Sequence, residues 1–146
     1  MKVALLLKGS SIASYDHWQH KDHIHIDNLN QNLIKNNNCD IFFHTWKSDN
    51  IDTQRYEEMA DDLNAVSWSI DNDISGEHGP ALGRKVVLTT KKVIDCYNKY
   101  KKENQTDYDL VIICRFDLFF LKKINLSKIL KTWENPSNSI WVYALG

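Results

Sequence analysis

A chain of 146 residues is long enough to bury a substantial core as one domain, and its 42% hydrophobic and 25% charged residues are those of an ordinary globular protein. A formal net charge of −1 argues against a global electrostatic pull toward nucleic acid, so no nucleic-acid partner is expected. Three cysteines without paired spacing argue against a disulfide framework or zinc knuckle, and the N-terminal apolar run is too short for a signal peptide or integral membrane segment, so the expected location is cytoplasmic or at the inner face of a membrane.

Val3-Ala4-Leu5-Leu6-Leu7 is a continuous apolar run, the pattern of a strand buried on both faces in a parallel sheet. Lys8-Gly9-Ser10 follows as a turn in which backbone N–H groups can approach a ligand. Residues 14–25 read as a polar, aromatic-containing loop or ragged helix start that carries His17, His20, His23 and His25; the imidazoles are compatible with metal binding, but an exposed polar segment fits the absence of a zincin spacing better. Ile26, Leu29 and Leu33 then recur at helical spacing up to Asn36-Asn37-Asn38. Asp40 to Trp46 is a second strand that ends in His44-Thr45-Trp46.

Asp52 is placed to cap a helix whose inner stripe is Tyr56, Met59, Ala60 and Leu63. Ala65 to Ile70 reads as a short third strand that runs into Asp71-Asn72-Asp73. A loop over 75–83 leads into a long helix, Arg84 to Lys102, with Val86, Thr90, Val93, Ile94, Tyr97 and Tyr100 on its inner face. The fourth strand, Leu110 to Cys114, ends abruptly in Arg115-Phe116-Asp117. A helix with Leu126, Ile129, Leu130 and Trp133, a turn over 135–138 and a last strand over 140–145 complete the chain.

Alternating strands and helices imply an α/β domain, a mainly parallel sheet with flanking helices in a Rossmann-like arrangement. In such sheets ligands bind beyond the carboxyl ends of the strands. Lys8-Gly9-Ser10, His44-Thr45-Trp46 and Arg115-Phe116-Asp117 would share that edge, and Arg84 and Lys85 would bring two more cations to it at the start of the long helix. This is a set suited to a diphosphate with an aromatic or imidazole neighbour.

Three segments carry a resemblance. Lys2 to Gly9, Cys39 to Trp46 and Asp107 to Phe120 resemble, in order, the motifs of a diffuse family of GT-A-type glycosyltransferases of polysaccharide, lipopolysaccharide or viral surface-glycan synthesis: an apolar strand plus Gly, then D-h-F-h-H-T-W, then Y-D-h-V-h-x-x-R-x-D-h-x-F, with h apolar. The resemblance implies the nucleotide-binding half of a GT-A fold and transfer of sugar from a nucleotide-sugar donor to a glycan or lipid-linked acceptor. Lys8, Gly9 and Ser10 would lie near base and ribose, with His44 and Trp46 sharing the pocket. Arg84 or Lys85 would lie near the diphosphate, and Arg115 and Asp117 at the position of the metal-binding Asp-x-Asp motif. Here that motif reads Arg-x-Asp. One carboxylate holds Mg²⁺ or Mn²⁺ less firmly than two, so an ion at Asp117 and direct neutralisation by Arg115 are both open, with Asp71 and Asp73 as further ligand candidates. The chain is expected to be one domain over 1–146, or the donor-binding part of a longer enzyme. The alternative is an α/β module that binds a nucleotide or a protein without catalysis.

Overall fold

The computed structural model describes residues 1–9, 24–47, 52–72, 82–131 and 139–141. Among these, five strands form one sheet: β1 (Val3–Gly9), β2 (Cys39–Lys47), β3 (Ala65–Asn72), β4 (Leu110–Arg115) and β5 (Ser139–Trp141). Their order across the sheet is 3-2-1-4-5, and all neighbouring pairs run parallel. The helices are α1 (Ile24–Leu29, continued by a π-helical turn, Asn30–Ile34), α2 (Thr53–Asp62), α3 (Leu82–Asn104) and α4 (Leu126–Lys131). The fold is Rossmann-like.

Period-two alternation divides β1 between two cores. Val3, Leu5 and Leu7 pack with Ile41 and Phe43 of β2 and Ile112 of β4 against α1, α2 and α4. Ala4, Leu6 and Phe42 face the other way, against Val93, Ile94, Tyr97 and Tyr100 of α3. The side chains from Val3 to Leu7 are fully buried, as a sheet covered on both faces requires. Phe42 meets the rings of Tyr97 and Tyr100 edge-on, each with centroids 5.5 Å apart. The chain steps from β1 to β2 to β3 in one direction with α1 and α2 on one face, then returns to β4 with α3 on the opposite face. Direction and face reverse together, so these three crossovers share one hand.

That return creates the switch point. β1 is followed in the chain by β2 on one side and is paired with β4 on the other, so the switch point lies at the carboxyl ends of β1 and β4, where open α/β sheets bind ligands in a crevice.

Helix ends follow from local chemistry. The Asp52 carboxylate accepts from the Gln54 amide at 3.2 Å and caps α2 as its position predicts. α2 and α3 are each followed by a residue at positive φ, Asn64 at 50° and Gln105 at 48°, the left-handed turn that stops a helix.

His25 falls in the first turn of α1, the helix start that its segment allowed. The structure departs from expectation in four places. The stretch through Leu33 is a π-helical turn, closed by Lys35 N–H donating to the Asn30 carbonyl at 2.9 Å, and Leu33 remains buried. β3 extends through Asn72, because Asp71 and Asn72 pair with Trp46 and Lys47 of β2. α3 is longer at both ends than the expected 84–102, and Val86 is 46% exposed, since the first turns of the helix overhang the crevice instead of the sheet. Ile129 is likewise exposed, so Leu126 is the buried anchor of α4. The histidine-bearing segment up to His23, most of the loop before α3, Trp133, the turn over 135–138 and the strand beyond Trp141 lie outside the described residues. No helix among the described residues is long and apolar enough to cross a membrane.

Candidate functional site

The carboxyl ends of β1, β2 and β4 and the first turns of α3 enclose a cleft of about 200 Å³. It is lined by Lys8, Gly9, Trp46, Lys85, Val86, Thr89 and Arg115. It lies at the switch point, where the order of the strands predicts a ligand.

Strand register brings the cations together. Lys8 and Arg115 are paired positions on β1 and β4. Their alternation with buried neighbours directs both toward the face covered by α3. Burial lowers the pKa of Lys8, and the nearby Arg115 charge lowers it further. Lys8 Nζ donates to Thr90 Oγ1 at 2.7 Å, and that hydroxyl in turn donates to the Val86 carbonyl at 2.8 Å. Among the described residues Lys8 has no carboxylate partner.

Gly9 ends β1 with φ at +121°, a conformation open to glycine and costly for other residues. A Cβ there would meet nothing within 4 Å, so the backbone angle rather than space calls for glycine. Trp46 is 6% exposed and forms one wall. The ring of His44 meets it edge-on at 4.9 Å, and Lys85 Nζ lies 5.6 Å from the indole centroid.

Beneath the wall runs a polar chain. His44 is fully buried; its Nδ1 lies 2.6 Å from Thr89 Oγ1 and its Nε2 3.3 Å from Asp71 Oδ2. Lys92 forms an ion pair with the same Asp71 oxygen at 2.9 Å. Bonding from Lys92 chiefly holds the Asp71 carboxyl below its ordinary range, and burial lowers the pKa of His44 against the pull of Asp71.

On the far rim, Arg115 Nε donates to Asp117 Oδ1 at 2.7 Å, and a terminal guanidinium nitrogen donates to Oδ2. This bond chiefly keeps the Asp117 carboxyl low, with a smaller contribution from the nearby His25. His25 Nδ1 is buried without a partner, and its ring meets Phe119 edge-on at 6.3 Å.

The segment after Asp117 is fastened to α1 by asparagines. Asn28 donates to the Phe120 carbonyl at 3.0 Å and accepts from the Phe120 amide at 2.7 Å, while Asn32 donates to the same carbonyl at 3.0 Å. Asn37 donates to the Ile124 carbonyl and accepts from the Leu126 amide, both at 2.9 Å. The loop that carries Arg115 and Asp117 is therefore anchored within a few residues of the cleft.

Of the residues singled out in the sequence, Lys8, Gly9, Trp46, Lys85 and Arg115 line the cleft, with His44 and Asp117 directly behind it. Arg84 is exposed and lies outside the lining, because one step around the helix turns it from the position of Lys85. Ser10 and Asp73 lie outside the described residues. Asp109 is at the opposite end of the sheet, where it accepts from the Lys2 amide at 2.6 Å. The Cys39 and Cys114 thiols are pushed up to about 12, mainly by burial, and are inert at neutral pH.

As a divalent-cation site the described residues fit poorly. Both oxygens of Asp117 are engaged by Arg115, Asp71 is shared between His44 and Lys92, and among the described residues no three His, Cys, Asp or Glu side chains converge. Sequence reasoning missed Thr89 and Thr90. The available signal was a pair of β-branched hydroxyl residues in a helix, one of them on the buried stripe, where a hydroxyl needs a bonding partner.

No protein-family model, curated protein or solved structure matches the chain.

Proposed function

We propose that the cleft binds the diphosphate of a nucleotide-sugar, and that the chain is a glycosyltransferase or the donor-binding half of one. The observation that carries this reading is the adjacency of Lys8 and Arg115 at the switch point. Two cations on neighbouring strands repel, and Lys8 lacks a carboxylate counter-charge among the described residues. An anion between them would relieve that repulsion. Trp46 supplies an aromatic wall beside them, and the motif resemblance names a donor with matching chemistry.

In the transfer, an acceptor hydroxyl attacks the anomeric carbon as the bond from that carbon to the diphosphate oxygen breaks. The hydroxyl proton passes to solvent water, and the bonding electron pair departs with the nucleoside diphosphate. Negative charge grows on the leaving oxygens, where Lys8 and Arg115 stabilise it. Because Arg115 already satisfies Asp117, these side chains supply the neutralisation in this reading, without an ion held at Asp117.

The test is thermal denaturation with a panel of UDP- and GDP-sugars, each with Mn²⁺ and with a chelator. A ligand at a hundredfold excess over its Kd stabilises the native state by about 2.7 kcal/mol. A rise in Tm that survives chelation is expected. A panel without any shift overturns the reading, while binding with no sugar transfer or donor hydrolysis would favour the non-catalytic module instead.

A further inference from the structure

The chain Asp71–His44–Thr89 has a direction, set by which groups can give a proton. An ionised carboxylate only accepts hydrogen bonds, so Asp71, paired with Lys92 at 2.9 Å, requires His44 Nε2 to carry the hydrogen. Burial lowers the pKa of His44 and so favours the neutral imidazole, which has one N–H. Nδ1 is then the acceptor, so the hydroxyl 2.6 Å away donates into it. The single proton of Thr89 is thereby used on the side away from the cleft, although Thr89 itself lines the cleft.

The next residue repeats the pattern. The proton of Thr90 goes to the Val86 carbonyl, and its oxygen accepts from Lys8. Two consecutive hydroxyls of α3 thus have their protons committed elsewhere, which leaves oxygen lone pairs for other donors.

We infer that Asp71 and His44 hold the Thr89 hydroxyl as a hydrogen-bond acceptor in the cleft, where it selects a ligand that presents a hydroxyl donor beside its phosphates. Asp71 and His44 are positioning residues, and Thr89 is the specificity-determining contact. The inference rests on the nucleotide-sugar reading and deepens it. The anion is held by Lys8 and Arg115, while a ribose or sugar hydroxyl is read by Thr89. An acceptor that cannot donate rejects a phosphate or carboxylate oxygen at the same point, which would separate the sugar-bearing part of the ligand from its charged part.

Two measurements test this. Imidazole nitrogen shifts of ¹⁵N-histidine-labelled protein, read without ligand near neutral pH, should show His44 as the Nε2–H tautomer; an Nδ1–H tautomer or an imidazolium overturns the inference. Calorimetric titration with UDP-glucose and GDP-mannose should show binding weakened about tenfold by Thr89→Val, the order expected for one lost hydrogen bond. Thr89→Ser should restore it. For one of the ribose- or sugar-deoxy analogues of the bound probe, the effect of Thr89→Val should vanish. Wild-type binding that Thr89→Val matches overturns this inference alone. No binding of any probe to the wild type overturns the nucleotide-sugar reading together with the hydroxyl contact built on it.

Discussion

Lys8 and Arg115 stand side by side on adjacent parallel strands, one at the end of β1 and the other at the end of β4. Nothing in either strand alone produces this pairing. It arises because the chain returns over the sheet and lays β4 against β1, which makes neighbours of residues 107 positions apart.

The first prediction concerns charge. Lys8→Met keeps most of the side-chain volume and removes the cation. Affinity for UDP should fall about tenfold, as expected for loss of one charge-assisted contact. Melting temperature without ligand should stay level or rise, since a like-charge neighbour has been removed. Calorimetry and a thermal melt read the two effects separately. Unchanged UDP affinity would remove Lys8 from the anion site.

A second prediction follows from the depressed pKa of His44. The groups that face its ring are Asp71 from β3 and Thr89 from α3, with Lys92 of α3 bearing on it through Asp71. Because the folded pKa lies below the unfolded one, the unfolded chain binds more protons between the two values, and stability rises with pH there. The contribution is fully present above the unfolded value of about 6.5 and is lost as pH falls through the folded pKa. Denaturant unfolding from pH 8 to pH 5 should show this decline in the wild type, with a shallower one in His44→Gln.

The asparagine clasp supports a third. Asn37→Ala deletes the bonds to the Ile124 carbonyl and the Leu126 amide and leaves those groups partly buried without partners. A cost of about 1–3 kcal/mol is expected. Asn28→Ala should cost a similar amount and should also speed amide exchange at Phe120, its direct partner. Protection at Phe120 equal to the wild type would show that the clasp does not hold the loop.

Gly9 supplies the fourth. Gly9→Ala places a methyl group in open space but imposes φ near +121° on an L-residue. Unfolding free energy should drop by about 1–3 kcal/mol from backbone strain alone. If Gly9→Ala is as stable as the wild type, the turn does not need that angle.

Much of the fold was legible in the residues. Unbroken apolar runs such as Val3–Leu7 require cover on both faces, and helical stripes such as Tyr56, Met59 and Ala60 require a sheet beneath them; these local patterns determined an α/β domain with a parallel sheet. They also placed Lys8, Trp46, Lys85 and Arg115 at the edge where the cleft lies. What the residues did not reveal depended on contacts between distant segments. Val86 belongs to a helical stripe, yet only the overhang of α3 beyond the sheet shows that it faces the cleft. Arg115 and Asp117 suggest a metal or an anion site equally well until the two side chains are seen to bond to each other. The sequence marks Thr89 only as one of two neighbouring hydroxyls in a helix, and Asn28, Asn32 and Asn37 read as helix polarity and a helix end. Their roles appear when β2, β3 and α3 converge on His44 and when the segment after β4 folds back onto α1. Hydrophobic periodicity is a property of neighbours along the chain, so the sequence by itself determined the elements and the sheet edge. The direction of a hydrogen bond depends on partners brought from elsewhere, so only the tertiary structure decided which donors and acceptors that edge presents.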